Sequence, residues 1–429
     1  MERPETIRLV ARSGPIDASI RLPGSKSLTN RALLVAALAN GESRLDHILL
    51  AEDTRLMIDA IRCLGVPVRV NENERIANVS GCAGRWPNAE ASLHCGNAGT
   101  VIRFLTAACT IDQGQYRLDG VSRMRERPIA ELVDCLRDLG AQVGYELREG
   151  YCPLTIQASG LRGGVIERDS TVSSQYISAL LMAGALATND VMIGLREPPP
   201  SRPYIAMTMG VMNAFDVAMV EKDMTRFIVP ARQTYRATTY AIEPDASAAS
   251  YFLAAAAVTG GRVTIEGLGA DSAQGDIHFA HTLEKMGCAV ERGAQQTTVI
   301  GPRDGRLRGI DADLGDMPDV AQTLAVVAAF ADGPTHIRNV GNLRIKETDR
   351  LAALASELSA MGVDVETGDD NITIRPNGPP KSARIRTYDD HRMAMSFAIA
   401  GLRIDGMEIE NPSCVGKTFP EFFDVWNAL

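Results

Sequence analysis

The stretch Ser27-Leu-Thr-Asn-Arg-Ala-Leu-Leu-Val-Ala-Ala-Leu-Ala39 is dominated by Ala and Leu and, as a predicted helix, lacks a polar face. Such a helix is expected to be buried on every side. Stretches of the same kind recur at intervals of 72 to 74 residues, opening at Thr100, Ser174, Ser247, Asp319 and His391. This regular spacing predicts six structural repeats.

Most repeats also contain a strand-like run and a second helix. Runs such as Arg262–Glu266 follow the buried helix after a short polar turn. Amphipathic helices are predicted at 53–64, 128–139, 204–214, 276–286, 348–361 and 419–428. Alternating strands and helices predict an α/β or α+β architecture with three repeats in each of two domains. The alternative is a solenoid without a pocket.

Composition limits the classes of function. The 429 residues are 45% hydrophobic and 23% charged, which is typical of a globular protein of two or three domains. A formal net charge of -9 argues against a nucleic-acid partner. Eight cysteines without a C-x-x-C pair, no apolar leader and no apolar run of membrane length predict a cytoplasmic protein with reduced thiols.

The starts of the buried helices are polar and unusual in composition. They read Gly24-Ser-Lys-Ser, Gly96-Asn-Ala-Gly-Thr, Ser173-Ser-Gln, Asp245-Ala-Ser, Asp316-Met-Pro-Asp and Asp389-Asp-His-Arg. Because helix N-termini bind anions, converging starts would attract a substrate with several negative charges. Taken singly, Ser and Asp at these positions are also ordinary helix caps.

Other basic residues add to this hypothesis. Lys346 and Arg350 are predicted in the first turn of a helix, where cations oppose the helix dipole, and Lys417 near the last helix repeats the pattern. The cluster Arg123–Arg127 is either a solvated charge run or part of a site. Gly24-Ser-Lys-Ser lacks the P-loop spacing, and the six histidines have no metal-ligand spacing, so we expect neither an ATP nor a metal site.

Several motifs together resemble those of the EPSP synthase family. They are Leu22-Pro-Gly-Ser-Lys-Ser-Leu-Thr-Asn-Arg31, Gly96-Asn-Ala-Gly-Thr100, Arg125-Glu-Arg-Pro128, Gln274-Gly-Asp276, Arg344-Ile-Lys-Glu-Thr-Asp-Arg350, Tyr388-Asp-Asp-His-Arg392 and Gly416-Lys-Thr-Phe-Pro420. The resemblance runs from about residue 8 to the C-terminus.

The resemblance implies the enolpyruvyl transferase fold, with two domains of three βαβαββ-type units that close on the substrates. One domain would comprise residues 1–24 and 243–429, and the inserted domain residues 25–242, with the active site in the cleft between them. The implied reaction transfers the enolpyruvyl group of phosphoenolpyruvate to the 5-hydroxyl of shikimate 3-phosphate, without a cofactor. A monomer is expected.

The resemblance also implies two sets of binding residues. Those for shikimate 3-phosphate would be Lys26, Ser27, Arg31, Ser173, Ser174, Gln175, Ser201, Tyr204, Asp319, Asn342 and Lys346. Those for phosphoenolpyruvate would be Lys26, Asn97, Gly99, Thr100, Arg127, Gln175, Arg350, Arg392 and Lys417.

Proton transfer is assigned to Asp319 and Lys346 at the hydroxyl and to Glu347 and Lys26 at the transferred group, with His391 nearby. Gly99 predicts sensitivity to glyphosate, which in this family occupies the phosphoenolpyruvate site. One residue departs from the family pattern: its common bacterial form has Pro at position 104, where this chain has Phe104.

Two competing functions are weighed. The first is the sister enolpyruvyl transferase acting on UDP-N-acetylglucosamine, which typically carries a Cys before its Arg-Pro. The equivalent loop here, 120–128, has no Cys. The second is a non-catalytic, anion-binding repeat protein, which the intact set of candidate catalytic residues disfavours.

Overall fold

A computed structural model of the protein describes residues 4–429. The chain forms two compact units. The inserted unit is Gly24–Glu243, and the split unit comprises the chain up to Pro23 together with Pro244–Leu429. Each unit has its own hydrophobic core of buried side chains.

The strands are short, between two and seven residues long. In chain order they are β1 (Thr6–Arg8), β2 (Asp17–Arg21), β3 (Asn40–Asp46), β4 (Val68–Asn71), β5 (Ile76–Cys82), β6 (Glu90–His94), β7 (Gln113–Asp119), β8 (Gln142–Tyr145), β9 (Leu154–Ser159), β10 (Gly164–Arg168), β11 (Val191–Leu195), β12 (Val220–Lys222), β13 (Arg226–Val229), β14 (Thr239–Ala241), β15 (Arg262–Glu266), β16 (Ala289–Arg292), β17 (Gln296–Ile300), β18 (Leu307–Arg308), β19 (Asp311–Asp313), β20 (Ala331–Asp332), β21 (Thr335–Arg338), β22 (Asp364–Thr367), β23 (Ile372–Arg375), β24 (Arg384–Ile385) and β25 (Glu408–Glu410).

The α-helices alternate between the buried and the amphipathic type. They are α1 (Lys26–Leu38), α2 (Glu52–Cys63), α3 (Gly99–Ala108), α4 (Ala130–Asp138), α5 (Ser174–Gly184), α6 (Arg202–Ala214), α7 (Ala246–Thr259), α8 (Phe279–Lys285), α9 (Ala321–Ala328), α10 (Arg350–Ala360), α11 (His391–Gly401) and α12 (Phe422–Asn427). Short 3₁₀ helices lie at Met124–Glu126, Gly275–His278, Pro318–Val320, Gly341–Ile345 and Pro412–Lys417.

The six predicted βαβαββ repeats are confirmed by the sheet topology. The inserted unit contains the sheets β14-β3-β5-β4, β6-β7-β9-β8 and β10-β11-β13-β12. The split unit contains β2-β15-β17-β16, β19-β21-β23-β22 and the three-stranded β24-β25-β1. In the sheet β6-β7-β9-β8, for example, β6 and β7 pair in parallel because the chain crosses over through the buried helix α3, and the antiparallel pairs β7-β9 and β9-β8 follow.

Two strands flank the insertion, and each pairs within its own unit. Strand β2 pairs in parallel with β15, and β14 closes the first sheet of the inserted unit by pairing in parallel with β3. At the junction, Ser25 N donates to Glu243 O over 2.8 Å, and Asp245 N donates to Pro23 O over 2.9 Å. Both ends of the inserted unit therefore lie side by side.

The buried helices pack inside each unit as their composition predicts. In α1 every residue from Leu28 to Leu38 is buried, and in α7 only Ser247 and Thr259 are partly exposed. Small Ala side chains permit close packing of helices on each other and on the sheets. The polar ends of these helices are consequently the parts that position functional side chains. No helix within residues 4–429 combines the length and apolar character that crossing a membrane requires.

Candidate active site

Four buried helices begin with a side-chain cap. Ser25 Oγ accepts from Leu28 N at 3.4 Å, and Ser173 Oγ accepts from Gln175 N at 3.3 Å. In the split unit, Asp245 Oδ1 accepts from Ala248 N and Asp390 Oδ1 from Arg392 N, both at 2.9 Å. The capping interpretation is therefore correct for these residues.

Arg31 lies fully buried in the inserted unit and joins α1 to α6. Its Nε donates to Thr208 Oγ1 at 2.6 Å, Nη1 to Ser27 O at 3.0 Å and Nη2 to Tyr204 O at 3.0 Å. Burial lowers the pKa of Arg31 to about 10, partly offset by Tyr204 and Tyr240, so the guanidinium keeps its charge at neutral pH. Arg31 thereby fixes Ser27 and Tyr204, two other predicted site residues.

The remaining predicted serines lie near the starts of α5 and α6. Ser174 is buried in the first turn of α5. Ser201 is buried immediately before α6 with a left-handed backbone, φ 59°. A non-glycine residue in this conformation marks a constrained position.

Gly99 opens α3 against two guanidinium groups. A Cβ atom on Gly99 would lie 2.5 Å from Arg103 Nη1 and 2.7 Å from Arg127 Nη2, so a side chain there would displace both arginines. Arg127 is itself buried, and its Nη1 donates to Asn97 O at 3.0 Å and Asn97 Oδ1 at 3.1 Å. Three predicted residues of the phosphoenolpyruvate site therefore form one contact group.

Arg103 is a member of this group that sequence reasoning missed. Its Nη1 donates to Gln175 Oε1 at 2.8 Å, Nη2 donates to Pro128 O at 3.3 Å, and its Cζ lies 5.4 Å from the ring centroid of Tyr176. Arg103 thus links the starts of α3 and α5. The available signal was an arginine within the mostly apolar run Thr100–Ala108, because an unpaired charge is costly to bury.

The start of α1 is tied to its neighbours through two polar contacts. Lys26 Nζ lies 3.4 Å from Oδ2 of the buried Asp53, and Asn30 Nδ2 donates to Thr100 Oγ1 at 2.8 Å. The lysine ammonium is therefore held beside a carboxylate that the sequence analysis did not include.

Within the cluster Arg123–Arg127, Arg127 differs from Arg123 and Arg125 in its contacts. Arg125 pairs with Asp119 at 2.6 Å, and Arg123 pairs with Glu126 at 2.8 Å. Both arginines have exposed or half-buried side chains and support the turn around Met124–Glu126. The charge-run interpretation describes these two residues, whereas Arg127 turns inward to Asn97.

In the split unit, Arg350 is the centre of a buried ionic cluster. Its Nε donates to Asp390 Oδ2 at 2.7 Å, Nη2 to Glu347 Oε2 at 2.9 Å and Nη1 to Asp319 Oδ1 at 3.2 Å. Burial alone lowers the pKa of Arg350, but the three carboxylates reverse the direction and raise it above its ordinary value. The guanidinium is a permanent cation that fixes the orientation of all three acids.

Asp319 is shared with a second arginine. Arg392 Nη2 donates to Asp319 Oδ2 at 2.6 Å, and Arg392 Nη1 donates to Tyr251 OH at 3.2 Å. Lys346 Nζ lies 4.0 Å from Asp319 Oδ1. Burial raises the pKa of Tyr251 to about 12 while Arg392 opposes the rise, so the hydroxyl stays protonated. Three cationic side chains therefore surround one carboxylate.

Two sequence-based placements are wrong in detail. Lys346 directly follows the 3₁₀ helix Gly341–Ile345, and α10 begins only at Arg350 after the cap Asp349, whose carboxylate accepts from Ala352 N. Lys417 ends the 3₁₀ helix Pro412–Lys417, well before α12. These lysines consequently do not oppose a helix dipole, and their positions depend on tight turns instead.

The remaining candidates lie around the cluster. His391 is fully buried, with Nδ1 3.6 Å from Asp390 Oδ1. The 3₁₀ helix that carries Lys417 packs against α11. Asn342 Oδ1 is buried and accepts no hydrogen bond from any residue in 4–429. Over the same described range, no three His, Cys, Asp or Glu side chains are grouped so that they could hold a metal ion.

Comparison with known proteins identifies the family. The family model for EPSP synthase (3-phosphoshikimate 1-carboxyvinyltransferase) matches residues 10–426. The chain belongs to the EPSP synthase family. It is 47% identical over 411 residues to the 3-phosphoshikimate 1-carboxyvinyltransferase of Photobacterium profundum, covering 95% of each chain. It is 45% identical over 419 residues to that of Trichormus variabilis, covering 98% of each.

Solved structures agree with this membership of the EPSP synthase family. The EPSP synthase of Acinetobacter baumannii superposes with a TM-score of 0.82 at 25% identity, over 99% of this chain and 98% of that one. The enolpyruvyl transferase NikO from Streptomyces tendae has a TM-score of 0.80 at 18% identity, over 99% and 97% of the two chains, and shares the fold. The predicted two-domain fold of repeated units is confirmed.

Proposed function

We propose that the protein transfers the enolpyruvyl group of phosphoenolpyruvate to the 5-hydroxyl of shikimate 3-phosphate, releasing phosphate. Both substrates are polyanions, and the reaction moves a proton at each reacting atom. The observation that supports this most directly is the Asp319 carboxylate, held by Arg350 at 3.2 Å and Arg392 at 2.6 Å with Lys346 at 4.0 Å. One potential base is thus surrounded by groups that attract anions.

Phosphoenolpyruvate is assigned to the inward-facing cations. Arg127, Arg350 and Arg392 are buried and held by carboxylate or amide oxygens, so each guanidinium is oriented before an anion arrives. A planar guanidinium can bind carboxylate or phosphate in bidentate geometry. Lys26, Lys417, Asn97, Gly99, Thr100 and Gln175 complete the proposed set.

Shikimate 3-phosphate is assigned to the group that Arg31 organises. Because the Arg31 guanidinium donates to Ser27 O and Tyr204 O, we assign it an indirect role that fixes these residues and supplies positive charge. Ser173, Ser174, Gln175 and Ser201 offer hydroxyl and amide groups to the phosphate and ring hydroxyls, as do Asp319, Asn342 and Lys346 from the split unit.

The proposed reaction has an addition and an elimination. The 5-oxygen attacks C2 of phosphoenolpyruvate while Asp319, with Lys346 beside it, accepts the hydroxyl proton, and C3 gains a proton from Glu347 or Lys26. The C2–O bond to phosphate then breaks as C3 returns its proton, which restores the double bond. Positioned acid–base groups contribute about 10²- to 10⁴-fold each.

The test is phosphate release from phosphoenolpyruvate in the presence of shikimate 3-phosphate, beside a UDP-N-acetylglucosamine control. Release with shikimate 3-phosphate alone is expected. Release only with the sugar nucleotide would show that the protein transfers the enolpyruvyl group to UDP-N-acetylglucosamine and not to shikimate 3-phosphate. A folded protein that releases phosphate with neither acceptor would favour the non-catalytic alternative.

A further inference from the structure

Asp276 is a buried carboxyl group close to the Asp319 cluster in the split unit. It lies in the 3₁₀ helix Gly275–His278, and the Ser247 hydroxyl donates to its Oδ2. The preceding Gln274 ties this segment to the start of α7, because Nε2 donates to Pro244 O at 2.7 Å and Oε1 accepts from Ala246 N at 3.1 Å. The Asp276 carboxyl group therefore has a fixed position.

Charges face Asp276 from each element around the start of α7. Burial raises the pKa of Asp276 most, and the negative charges of Asp319 and, more weakly, Asp245 raise it further. The hydrogen bond from Ser247 and the positive charge of Arg392 lower it. The resulting pKa is about 6. The ionisable residues His281 and Glu284 of α8 pair with each other at the surface, 2.9 Å apart. His278, on the same short helix as Asp276, is exposed.

Arg392 connects this carboxyl group to the site. It donates to Asp319 at 2.6 Å and to the hydroxyl of Tyr251 at 3.2 Å. Tyr251 follows Ser247, the donor to Asp276, by one turn of α7, so the two residues lie on the same face of that helix. The positive charge of Arg392 lowers the pKa of Asp276 and so favours its ionised form. An anion on Arg392 would neutralise that stabilising charge and add a negative charge next to a buried carboxylate. The protonated form of Asp276 then becomes the more stable one.

We propose that Asp276 is a positioning residue that takes up one proton from solvent when an anionic substrate binds at Arg392. Protonation of Asp276 removes one negative charge from the buried cluster when the anion adds its own. Arg392 can then bind the anion while it still donates to Asp319. This inference rests on the proposed function, with phosphoenolpyruvate as the anion.

Asp276→Asn, which imitates the protonated form, tests the proposal. The ratio of kcat/KM for phosphoenolpyruvate in Asp276→Asn to that in wild type is measured from pH 5 to 8. Ionisation of the substrate phosphate affects both proteins equally and cancels in the ratio. The ratio should be near one at the acid end and rise about tenfold above about pH 6, if the anion raises the pKa of Asp276 by about one unit.

Two further variants make the readout specific. Ser247→Ala removes the hydroxyl that favours ionised Asp276, so the decline of kcat/KM with pH should begin at a higher pH than in wild type. Asp271→Asn changes an exposed carboxylate in the same loop and should follow wild type at every pH. A ratio for Asp276→Asn that is independent of pH would overturn the proposal. If Asp276→Asn does not fold, an unshifted profile in Ser247→Ala would overturn it.

Failure of the proposed function gives a different result. If wild type turns over but the ratio of kcat/KM between Asp276→Asn and wild type does not depend on pH, the proposed function stands and the proposal for Asp276 is wrong. If wild type shows no turnover, calorimetric titration of phosphoenolpyruvate in two buffers of different ionisation heat measures proton uptake directly. Uptake by wild type but not by Asp276→Asn supports the proposal, and equal or zero uptake by both overturns it.

Discussion

The guanidinium of Arg31 lies over the ring of Phe104, with Cζ 5.1 Å from the ring centroid. Phe104 is fully buried within α3, which runs without a break from Gly99 to Ala108. The residue that departs from the common bacterial pattern thus packs against the arginine that fixes Ser27 and Tyr204. Its influence is expected at the shikimate 3-phosphate side, through Arg31.

Phe104→Leu is expected to weaken both stability and shikimate 3-phosphate binding. Lost aromatic volume and the lost cation–π contact should lower the free energy of unfolding by about 1–2 kcal/mol. KM for shikimate 3-phosphate should rise, because Arg31 is less firmly held. Phe227→Leu, at a buried phenylalanine of β13, is the matched control: it should lower stability and leave KM unchanged. Equal KM values in the two variants would contradict the prediction.

Gly99→Ala should impair phosphoenolpyruvate use with little loss of stability. The new Cβ would stand 2.7 Å from Arg127 Nη2 and 2.5 Å from Arg103 Nη1, and both are ends of flexible side chains that can move. KM for phosphoenolpyruvate should rise about tenfold or more, equivalent to about 1.4 kcal/mol. Inhibition by glyphosate should weaken as well.

The control for this change is Gly210→Ala. Gly210 lies within α6, and a Cβ there would meet nothing within 4 Å. Ala is favoured over Gly in a helix by about 1 kcal/mol, so this variant should be slightly more stable with normal kinetics. Thermal unfolding and steady-state kinetics separate the two cases, and a normal KM in Gly99→Ala would refute the steric argument.

Arg350→Lys should destabilise the split unit. A lysine has a single ammonium nitrogen, which cannot occupy the three positions from which Arg350 donates to Asp390, Glu347 and Asp319. Buried carboxylates would therefore lose their partner at a cost of about 3–5 kcal/mol. Arg375→Lys, whose ion pair with Glu366 is exposed, should cost less than about 1 kcal/mol. Urea unfolding of both variants provides the measurement, and similar losses would argue against a structural role for the cluster.

Glu347→Gln should lower turnover more than substrate affinity. The amide oxygen can still accept from Arg350 Nη2, as the carboxylate does now at 2.9 Å, but the side chain can no longer deliver and recover a proton. We expect kcat to fall about 10²-fold or more with nearly unchanged KM values. Glu366→Gln on the exposed strand β22 serves as the control, and near-normal turnover in Glu347→Gln would exclude a role in proton transfer.

The pH dependence of stability should change in Asp276→Asn. With a pKa of about 6 in the folded protein, against about 3.9 in an unfolded chain, Asp276 keeps its proton longer in the folded state. Its contribution to stability is therefore complete below about pH 4 and is lost as the pH rises through about 6. Relative to wild type, Asp276→Asn should gain stability from pH 4.5 to 7, as measured by urea unfolding. A constant difference would contradict the raised pKa.

The repeats were predictable because each one needs a helix without a polar face, and Ala-rich runs such as Ser247–Gly260 carry that signal locally. The ionic partners were not predictable, because they depend on which helix starts meet in space. Asp53 lies in a run whose local pattern is that of an ordinary helix, and the runs around Arg103 and Asp276 do not indicate which groups these residues contact. The residues around Lys346 favour a helix, so the sequence predicts Lys346 in the first turn. The helix α10 begins later, because Asp349 caps it three residues after Lys346.

The insertion of one unit into the other, between Pro23 and Pro244, has a consequence for biosynthesis. When β2 leaves the ribosome, its partner β15 lies more than two hundred residues further along the chain. The inserted unit is complete once β14 has been made, and its folding brings the two ends of the segment together. For β2 the effective loop then shrinks from the whole insertion to a short gap, which lowers the entropy cost of closing it. The nascent chain is therefore expected to fold from the inside outward.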